Sequence, residues 1–221
     1  YPHLPVRVVG HHSGISMGFY GTSHHSLEDI GIMRTIADLT VVCAADANQL
    51  RAILRESLTH DGAMYIRLGR GRDPEVYSEV PKLVFGKSIK LRSGSDLAIV
   101  ATGSEVYPSL EAATRLAATG INASVYDFHT LKPFDFDSLS EIASHGNILT
   151  VEEHNRTNGL GTAFAEALMD GGFGHTRLYR HGVPDIHVPV GPPAALYAHY
   201  RLDADGIVSV ANEFLGTTPK S

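Results

Sequence analysis

The chain has 221 residues, of which 43% are hydrophobic and 19% charged. This length and composition are typical of a globular protein with one large domain or two small ones. The formal net charge of −6 argues against nucleic-acid and membrane-surface partners, which bind basic patches, and no apolar run is long enough to cross a bilayer.

The first residues and the cysteine count indicate a compartment. The segment YPHLPVRVVG has neither the basic start nor the long apolar stretch of a secretory signal peptide. The single cysteine, Cys43, has no second cysteine in the chain to pair with, and it lies in the strand-like run LTVVCAAD. We therefore expect a cytoplasmic protein in which Cys43 is a core thiol rather than a nucleophile.

The first third of the chain alternates strand-like and helix-like stretches. The strands are predicted at 6–10, 40–45 and 63–68. Ser26 precedes Asp29 at the spacing of a capping box and predicts the start of a helix, and Asp46 with Gln49 predicts a second helix start. A parallel sheet of three strands needs cover on both faces, so this unit has the size of half a domain, completed by residues upstream or by another chain.

The alternation of predicted strands and helices resumes after a charged segment that lacks helical periodicity. Strands are predicted at 96–103, 122–128, 147–153 and 176–183, and helices at 104–119, 135–146, 161–172, 193–200 and 203–215. Strands separated by helices predict an α/β fold with mostly parallel sheets. We expect two three-layer units: residues 1–75, a linker and lead-in strand over 76–95, and residues 96–221.

Four histidines stand in HHSGISMGFYGTSHHSLEDIGIMR, as the pairs His11–His12 and His24–His25. Their spacing does not match the usual zinc motifs, and adjacent residues on a strand point to opposite faces. A zinc site, capping or surface histidines, and a substrate site remain as interpretations.

The substrate interpretation fits the predicted topology best. His12 follows one strand, His24 precedes a helix, and Arg70 follows another strand. Loops at the carboxyl ends of parallel strands bind ligands in α/β proteins. Imidazoles there can hydrogen-bond hydroxyl groups, and an arginine can bind a phosphate through two nitrogens. These three residues therefore indicate a phosphorylated, polyhydroxylated substrate.

Two glycine-rich turns and an acidic pair invite further interpretations. ATGSE (101–105) and NGLGT (158–162) each open a helix and are read as tight turns, with an anion cradle as the alternative. Glu152 and Glu153 end a predicted strand, where a carboxylate pair can act in catalysis, and His154 follows them.

The order of several segments resembles the transketolase family of thiamine-diphosphate enzymes. GFYGTSHHSLEDIGIMRTIADLTVVCAADANQL is similar to part of the family's pyrimidine-binding domain. DLAIVATGSEVYPSLEAATRL, VYDFHTLKPFD, ILTVEEHNRTNGLGTAFAEAL and RHGVPD resemble its C-terminal domain, in the same order. The resemblance covers nearly the whole chain and implies that the first unit is an incomplete pyrimidine-binding domain. It also puts VEEH in the C-terminal domain, away from the thiazolium, which implies domain or subunit contacts rather than catalysis for Glu152, Glu153 and His154.

The resemblance also implies roles for single residues. His24 matches the histidine beside the cofactor's thiazolium ring and the substrate carbonyl, so it is a catalytic and cofactor-binding candidate. His12 matches a histidine that bonds a donor hydroxyl, and Arg70 matches the arginine that binds the substrate phosphate. His25 stands where the family has glutamine, and Tyr20 stands where it has an aspartate that touches a sugar hydroxyl, which leaves the substrate open.

The residues that complete the cofactor site of the family have no match here. The family uses a glutamate and several aromatic residues to bind the pyrimidine ring of the cofactor. A separate set of residues binds Mg²⁺ and the diphosphate. The resemblance therefore implies a ketol transferase part that needs an upstream domain or partner subunit to bind thiamine diphosphate and Mg²⁺, in a homodimer or heterotetramer. Deoxyxylulose-phosphate synthase, a 2-oxo-acid dehydrogenase β subunit and a non-catalytic dimerisation or regulatory module are the alternatives.

Overall fold

The computed structural model describes residues 2–71 and 73–217, so the predicted domain limits at Tyr1 and Ser221 lie outside the described residues. In that part of the chain, strands alternate with helices. The strands are β1 (Arg7–Gly10), β2 (Thr40–Cys43), β3 (Met64–Arg67), β4 (Ile89–Arg92), β5 (Leu97–Ala101), β6 (Ala123–Asp127), β7 (Thr130–Lys132), β8 (Asn147–Asn155) and β9 (Arg177–Val183). The α-helices are α1 (Asp29–Thr35), α2 (Ala47–Ser57), α3 (Val106–Ala118), α4 (Phe136–Ala143), α5 (Leu160–Asp170), α6 (Pro193–His199) and α7 (Ala204–Leu215).

The strands form two sheets, which confirms the predicted α/β class with mostly parallel pairing. The first sheet has the order β1-β3-β2-β7, and β1, β3 and β2 are parallel. The second sheet has the order β4-β6-β5-β8-β9, with β4 antiparallel at its edge and the other neighbours parallel. Every residue of β2, β3, β5 and β6 is buried, as expected for strands covered on both faces.

Strand β7 links the two sheets. It follows β6 of the second sheet along the chain, yet it pairs antiparallel with β2 of the first sheet, with Val41 opposite Lys132. One cluster of buried side chains accordingly includes Val41 and Tyr65 from the first sheet and Val100 and Phe128 from the second region. The two predicted units therefore share a hydrophobic core.

The edge strand β1 contrasts with its neighbours. Val8 and Val9 are 46% and 48% exposed although they point to opposite faces of the sheet. The strand pairs with β3 on one side, so among the described residues its other side bears no further strand. Both faces of this edge are thus open to solvent in the chain by itself.

The structure confirms some of the helix starts predicted from the sequence and corrects others. Asp46 caps α2 as predicted, since its side chain accepts the Gln49 backbone N–H at 2.7 Å. The capping box at Ser26 was wrong: α1 begins at Asp29, whose carboxylate binds Arg67 and Tyr65 instead. The helix predicted from residue 104 begins as α3 at Val106, and the Ser104 hydroxyl donates to Glu153 at 2.8 Å instead of capping it.

Among the described helices, none combines the length and the apolar character needed to cross a membrane.

Candidate active site

The loop after β1 and the loop after β3 lie side by side at the carboxyl edge of the first sheet. The His12 backbone N–H donates to the Gly69 carbonyl at 3.3 Å, and the Ser13 N–H donates to the Leu68 carbonyl at 3.0 Å. These two bonds continue the β1–β3 pairing beyond the strands. They bring His12 next to the segment that carries Arg70.

A cleft of about 480 Å³ opens between these loops and the start of α2. The side chains of His12 and Arg70 both line it, so the structure brings together two of the three predicted substrate residues. The other lining residues are His11, Ala44, Asp46, Ala47, Leu50, Leu68, Gly69, Gly71 and Asp73. Arg70 is exposed, and its Nη1 donates a long bond of 3.4 Å to the Ser16 carbonyl; among the described residues this is its one side-chain hydrogen bond, which leaves the guanidinium available to an anion.

The imidazole of His12 has a lowered pKa. Partial desolvation of the ring is the largest cause, followed by coulombic repulsion from His11, Arg70 and His24. A lowered pKa keeps His12 neutral near pH 7, with one nitrogen that donates and one that accepts. A neutral imidazole suits a sugar hydroxyl, which also both donates and accepts.

His24 lies outside the lining of the cleft, at the end of a short 3-10 turn over Thr22–His24. Its Nδ1 is 2.9 Å from the Ser23 hydroxyl, and its ring centroid is 4.9 Å from that of Tyr20. Both rings are exposed, and His24 is close enough to contribute to the pKa of His12. The third predicted residue therefore neighbours the cleft without lining it.

The remaining two histidines of the pairs differ from each other. His11 lines the cleft, and its ring centroid is 4.3 Å from that of His12. His25 is half-buried away from the cleft, and burial is the main cause that lowers its pKa. The family resemblance implies no role for His11, and its place in the cleft is a finding of the structure.

Asp46 and Asp73 are cleft residues that the sequence analysis did not propose for this site. Asp46 was assigned only as a helix cap, and it also accepts the backbone N–H groups of Val76 and Tyr77 at 2.8 and 2.7 Å. Those bonds fix the segment after Arg70 against α2. Asp46 follows β2 and Asp73 follows β3, so the rule that ligands bind beyond the carboxyl ends of strands would have found both.

In β8, Glu153 and His154 join the two regions, as the family resemblance implied, whereas Glu152 binds within the second region. The buried Glu153 carboxylate accepts the Ile15 N–H at 2.8 Å, so a residue of the second sheet binds the loop that follows β1. His154 is fully buried, and its Nε2 is 3.4 Å from the backbone nitrogen of Gly31 in α1. These contacts are structural, and neither side chain lines the cleft.

Glu152 decides between the two interpretations of the NGLGT turn. Its carboxylate accepts the backbone N–H groups of Leu160 and Gly161 at 2.7 and 2.9 Å. The start of α5 is therefore occupied by a side chain of the protein itself. This excludes the alternative of an anion cradle at these two N–H groups.

The described residues fit a substrate better than they fit a metal-bound diphosphate. Within residues 2–71 and 73–217, no group of three or more His, Cys, Asp and Glu side chains is arranged to hold a metal ion. The cleft offers one arginine and two histidines for an anionic, hydroxylated ligand, but the two aspartates do not form a ligand set.

Comparisons with known proteins match both regions of the chain. Residues 2–74 match the family model described as transketolase, pyrimidine binding domain, and residues 86–207 match the one described as transketolase, C-terminal domain. The chain is 36% identical over 217 residues to a subunit of the apulose-4-phosphate transketolase of Phocaeicola vulgatus, covering 97% of this chain and 69% of that protein. The chain thus spans about two thirds of that relative's length.

Two further similarities extend the comparison. The chain is 36% identical over 215 residues to the 1-deoxy-D-xylulose-5-phosphate synthase 1 of Geobacter metallireducens, covering 96% of this chain and 34% of that protein. Among solved structures, it matches a split gene transketolase, described as an inactive beta4 tetramer, with a TM-score of 0.89 and 37% identity. That match covers 98% of this chain and 69% of the other.

Proposed function

The chain belongs to the transketolase family, and we propose that it forms the substrate-binding part of an enzyme that transfers a two-carbon ketol unit between sugar phosphates. The observation that carries this proposal is the cleft at the carboxyl edge of the first sheet. It holds a neutral imidazole, His12, and an exposed guanidinium, Arg70, on adjacent loops.

The proposed roles follow from the chemistry of each group. Arg70 binds the substrate phosphate, because its planar fork of donors matches phosphate oxygens. His12 hydrogen-bonds a hydroxyl of the donor sugar. His24 donates to the carbonyl oxygen of the substrate as negative charge develops there. Tyr20, whose ring stacks beside His24, closes this side of the site in place of the family's aspartate.

The family implies thiamine diphosphate, which supplies the carbanion chemistry of ketol transfer when bound. We propose that a partner subunit or a further domain provides Mg²⁺ and the diphosphate ligands, because the described residues offer no metal cluster. The Phocaeicola relative is named as one subunit of its enzyme and the split gene transketolase is a tetramer, which supports an assembly of several chains, either a homodimer or a heterotetramer. The buried free thiol of Cys43 fits the cytoplasm as the compartment.

Replacement of His24 in the complete enzyme tests the catalytic proposal. His24→Ala should lower kcat about 100-fold, the usual effect of removing one donor to a developing oxyanion. His25→Gln is the matched control: it alters the adjacent ring outside the cleft and should leave turnover near that of the unchanged enzyme. Transfer kinetics that are unaltered in His24→Ala would contradict the assignment.

A deoxyxylulose-phosphate synthase is the second candidate, favoured by the similarity to the Geobacter enzyme. The two reactions differ in the donor. The complete enzyme should transfer from a ketose phosphate and not from pyruvate, and formation of deoxyxylulose phosphate from pyruvate with release of carbon dioxide would decide for the synthase.

The need for a partner can be measured by titration calorimetry with thiamine diphosphate and Mg²⁺. We expect binding only when this chain is combined with the partner subunit or domain. Tight binding by this chain alone would contradict the proposed division of the cofactor site.

A further inference from the structure

The loop that carries His12 has a backbone conformation that needs support. His12 has a φ of +62° and Gly14 a φ of +58°. The left-handed region is unfavourable for a residue with a side chain, so such a residue persists only where its surroundings hold it. The two backbone bonds to Leu68 and Gly69 hold His12 and Ser13 from the side of β3, but they do not reach the residues beyond Ser13.

Glu153 of β8 holds the other side of this loop. Its Oε1 accepts the Ile15 backbone N–H at 2.8 Å, and its Oε2 accepts the Ser13 hydroxyl at 3.2 Å. The carboxylate thus binds both Ser13 and Ile15, the first and third residues after His12 in the loop. A Cβ atom at Gly14 would overlap the carboxyl group of Glu153, which shows how closely the loop lies on it.

The Glu153 carboxylate is itself fixed by the second region of the protein. The hydroxyl groups of Ser104 and Tyr197 donate to it, the former at 2.8 Å. The guanidinium of Arg67 donates to the backbone carbonyl of Glu153 at 2.9 Å. Glu153 is 1% exposed, so its side chain has no freedom to relax into solvent. It therefore transmits the position of the second sheet to the loop of His12.

We propose that Glu153 is a positioning residue for the ketol transfer, which fixes His12 in the cleft through Ser13 and Ile15. This inference rests on the proposed function of His12 in substrate binding. Glu153 does not line the cleft and acts only through the loop.

The neighbouring glutamate provides a matched control. Glu152 is equally buried and lies on the same strand, but its carboxylate binds the N-terminal N–H groups of α5 and, within the described part of the chain, makes no hydrogen bond to the loop at residues 11–16. Glu152→Gln and Glu153→Gln therefore change the same chemical group at adjacent buried positions. Only the second change alters the support of His12.

The first test measures the titration of His12 by NMR in the isolated chain, with its ring signal assigned by comparison with His12→Asn. Release of the loop should move the ring away from His11 and Arg70, so the pKa of His12 should rise toward its ordinary value in Glu153→Gln. Loss of a nearby negative charge would by itself shift that pKa downward, so a rise identifies movement of the ring. Glu152→Gln should leave the titration unchanged.

Ser13→Ala serves as a second variant that removes one of the two loop bonds and leaves the other donors to Glu153 in place. It should shift the titration in the same direction and by less than Glu153→Gln. If Glu153→Gln does not fold, Ser13→Ala decides. An unchanged titration in a folded variant, or an equal shift in Glu152→Gln, would overturn the proposal.

The second test is kinetic and uses the complete enzyme. We expect Glu153→Gln to raise KM for the donor about tenfold with a smaller change in kcat, as for a misplaced binding group. Glu152→Gln should leave both constants nearly unchanged, because its carboxylate binds the start of α5 and not the loop of His12. If the unchanged enzyme does not transfer ketol units, the proposed function fails, while the NMR titration still decides whether Glu153 positions His12.

Discussion

At the scale of single residues, the electrostatics of the cleft set the charge of His12. Partial desolvation of the ring is the largest cause that lowers its pKa, and coulombic repulsion from His11, Arg70 and His24 acts in the same direction. The resulting neutral ring gives Arg70 the role of the permanent positive charge in the cleft. An anionic substrate then meets a guanidinium and an uncharged imidazole rather than two competing cations.

This arrangement predicts the pH dependence of kcat/KM. If His12 acts in its neutral form, activity falls as the pH drops through its pKa, so the acidic limb of the profile lies below the ordinary value of 6.5. His11→Asn removes one of the positive neighbours and should move that limb to higher pH. A limb that stays in place would show that His11 does not act on His12.

The sequence predicted that His12 and Arg70 lie close together, and this proximity depends on the strand topology alone. His12 and Arg70 each follow a strand, and the parallel pairing of β1 with β3 brings the two loops together. Glu153 could not be placed in the same way, because its contact with Ile15 spans 138 positions along the chain. Such a contact depends on how the two sheets pack, which no local pattern contains.

At the scale of elements, the start of α1 shows why the capping box predicted at Ser26 does not form. Ser26 and Asp29 had the spacing of a capping box, but the Asp29 carboxylate binds the Arg67 Nε at 2.8 Å and the Tyr65 hydroxyl at 2.7 Å. Arg67 is 3% exposed and requires an anion, so this long-range pairing outweighs the weaker local bond. Strand β7 was not predicted, because its three residues are too few to show the alternating pattern of a strand.

The Asp29–Arg67 pair predicts a particular pattern of stabilities. Burial raises the pKa of Asp29, but Arg67 and the hydrogen bonds outweigh it, and the pKa lies below its ordinary value. Arg67→Met leaves a buried carboxylate without its partner and should lower the free energy of unfolding by about 3–5 kcal/mol. The double variant Asp29→Asn with Arg67→Met should be less destabilised than Arg67→Met alone. Urea denaturation at pH 7 measures both.

The direction in which stability changes with pH provides a control for the Asp29–Arg67 pair. Because the pKa of Asp29 is depressed in the folded protein, its contribution is complete above the ordinary value of 3.8 and is lost as the pH falls below it. The difference between the unchanged chain and Asp29→Asn should therefore shrink in that range. A difference that is independent of pH would contradict the ion pair as its cause.

At the scale of the whole molecule, the sequence predicted two α/β units, and the structure joins them more tightly than a linker would. Strand β7 adds to the sheet of the first region, and Leu131 in that strand is 1% exposed within the core cluster shared by both regions. Glu153 and His154 add polar contacts across the same boundary. Each region thus uses surface of the other to complete its burial.

We therefore predict that residues of both sheets unfold in one cooperative transition. Leu131→Ala should lower the free energy of unfolding by about 2–5 kcal/mol, the usual effect of truncating a buried leucine. Because the cavity lies in a shared core, the single calorimetric transition should move to lower temperature as a whole, with equal van't Hoff and calorimetric enthalpies. Leu58→Ala, at an 84% exposed position of the first region, is the control and should leave the transition nearly in place. Two separate transitions, only one of which responds to Leu131→Ala, would show that the regions fold independently and that β7 is only an attachment.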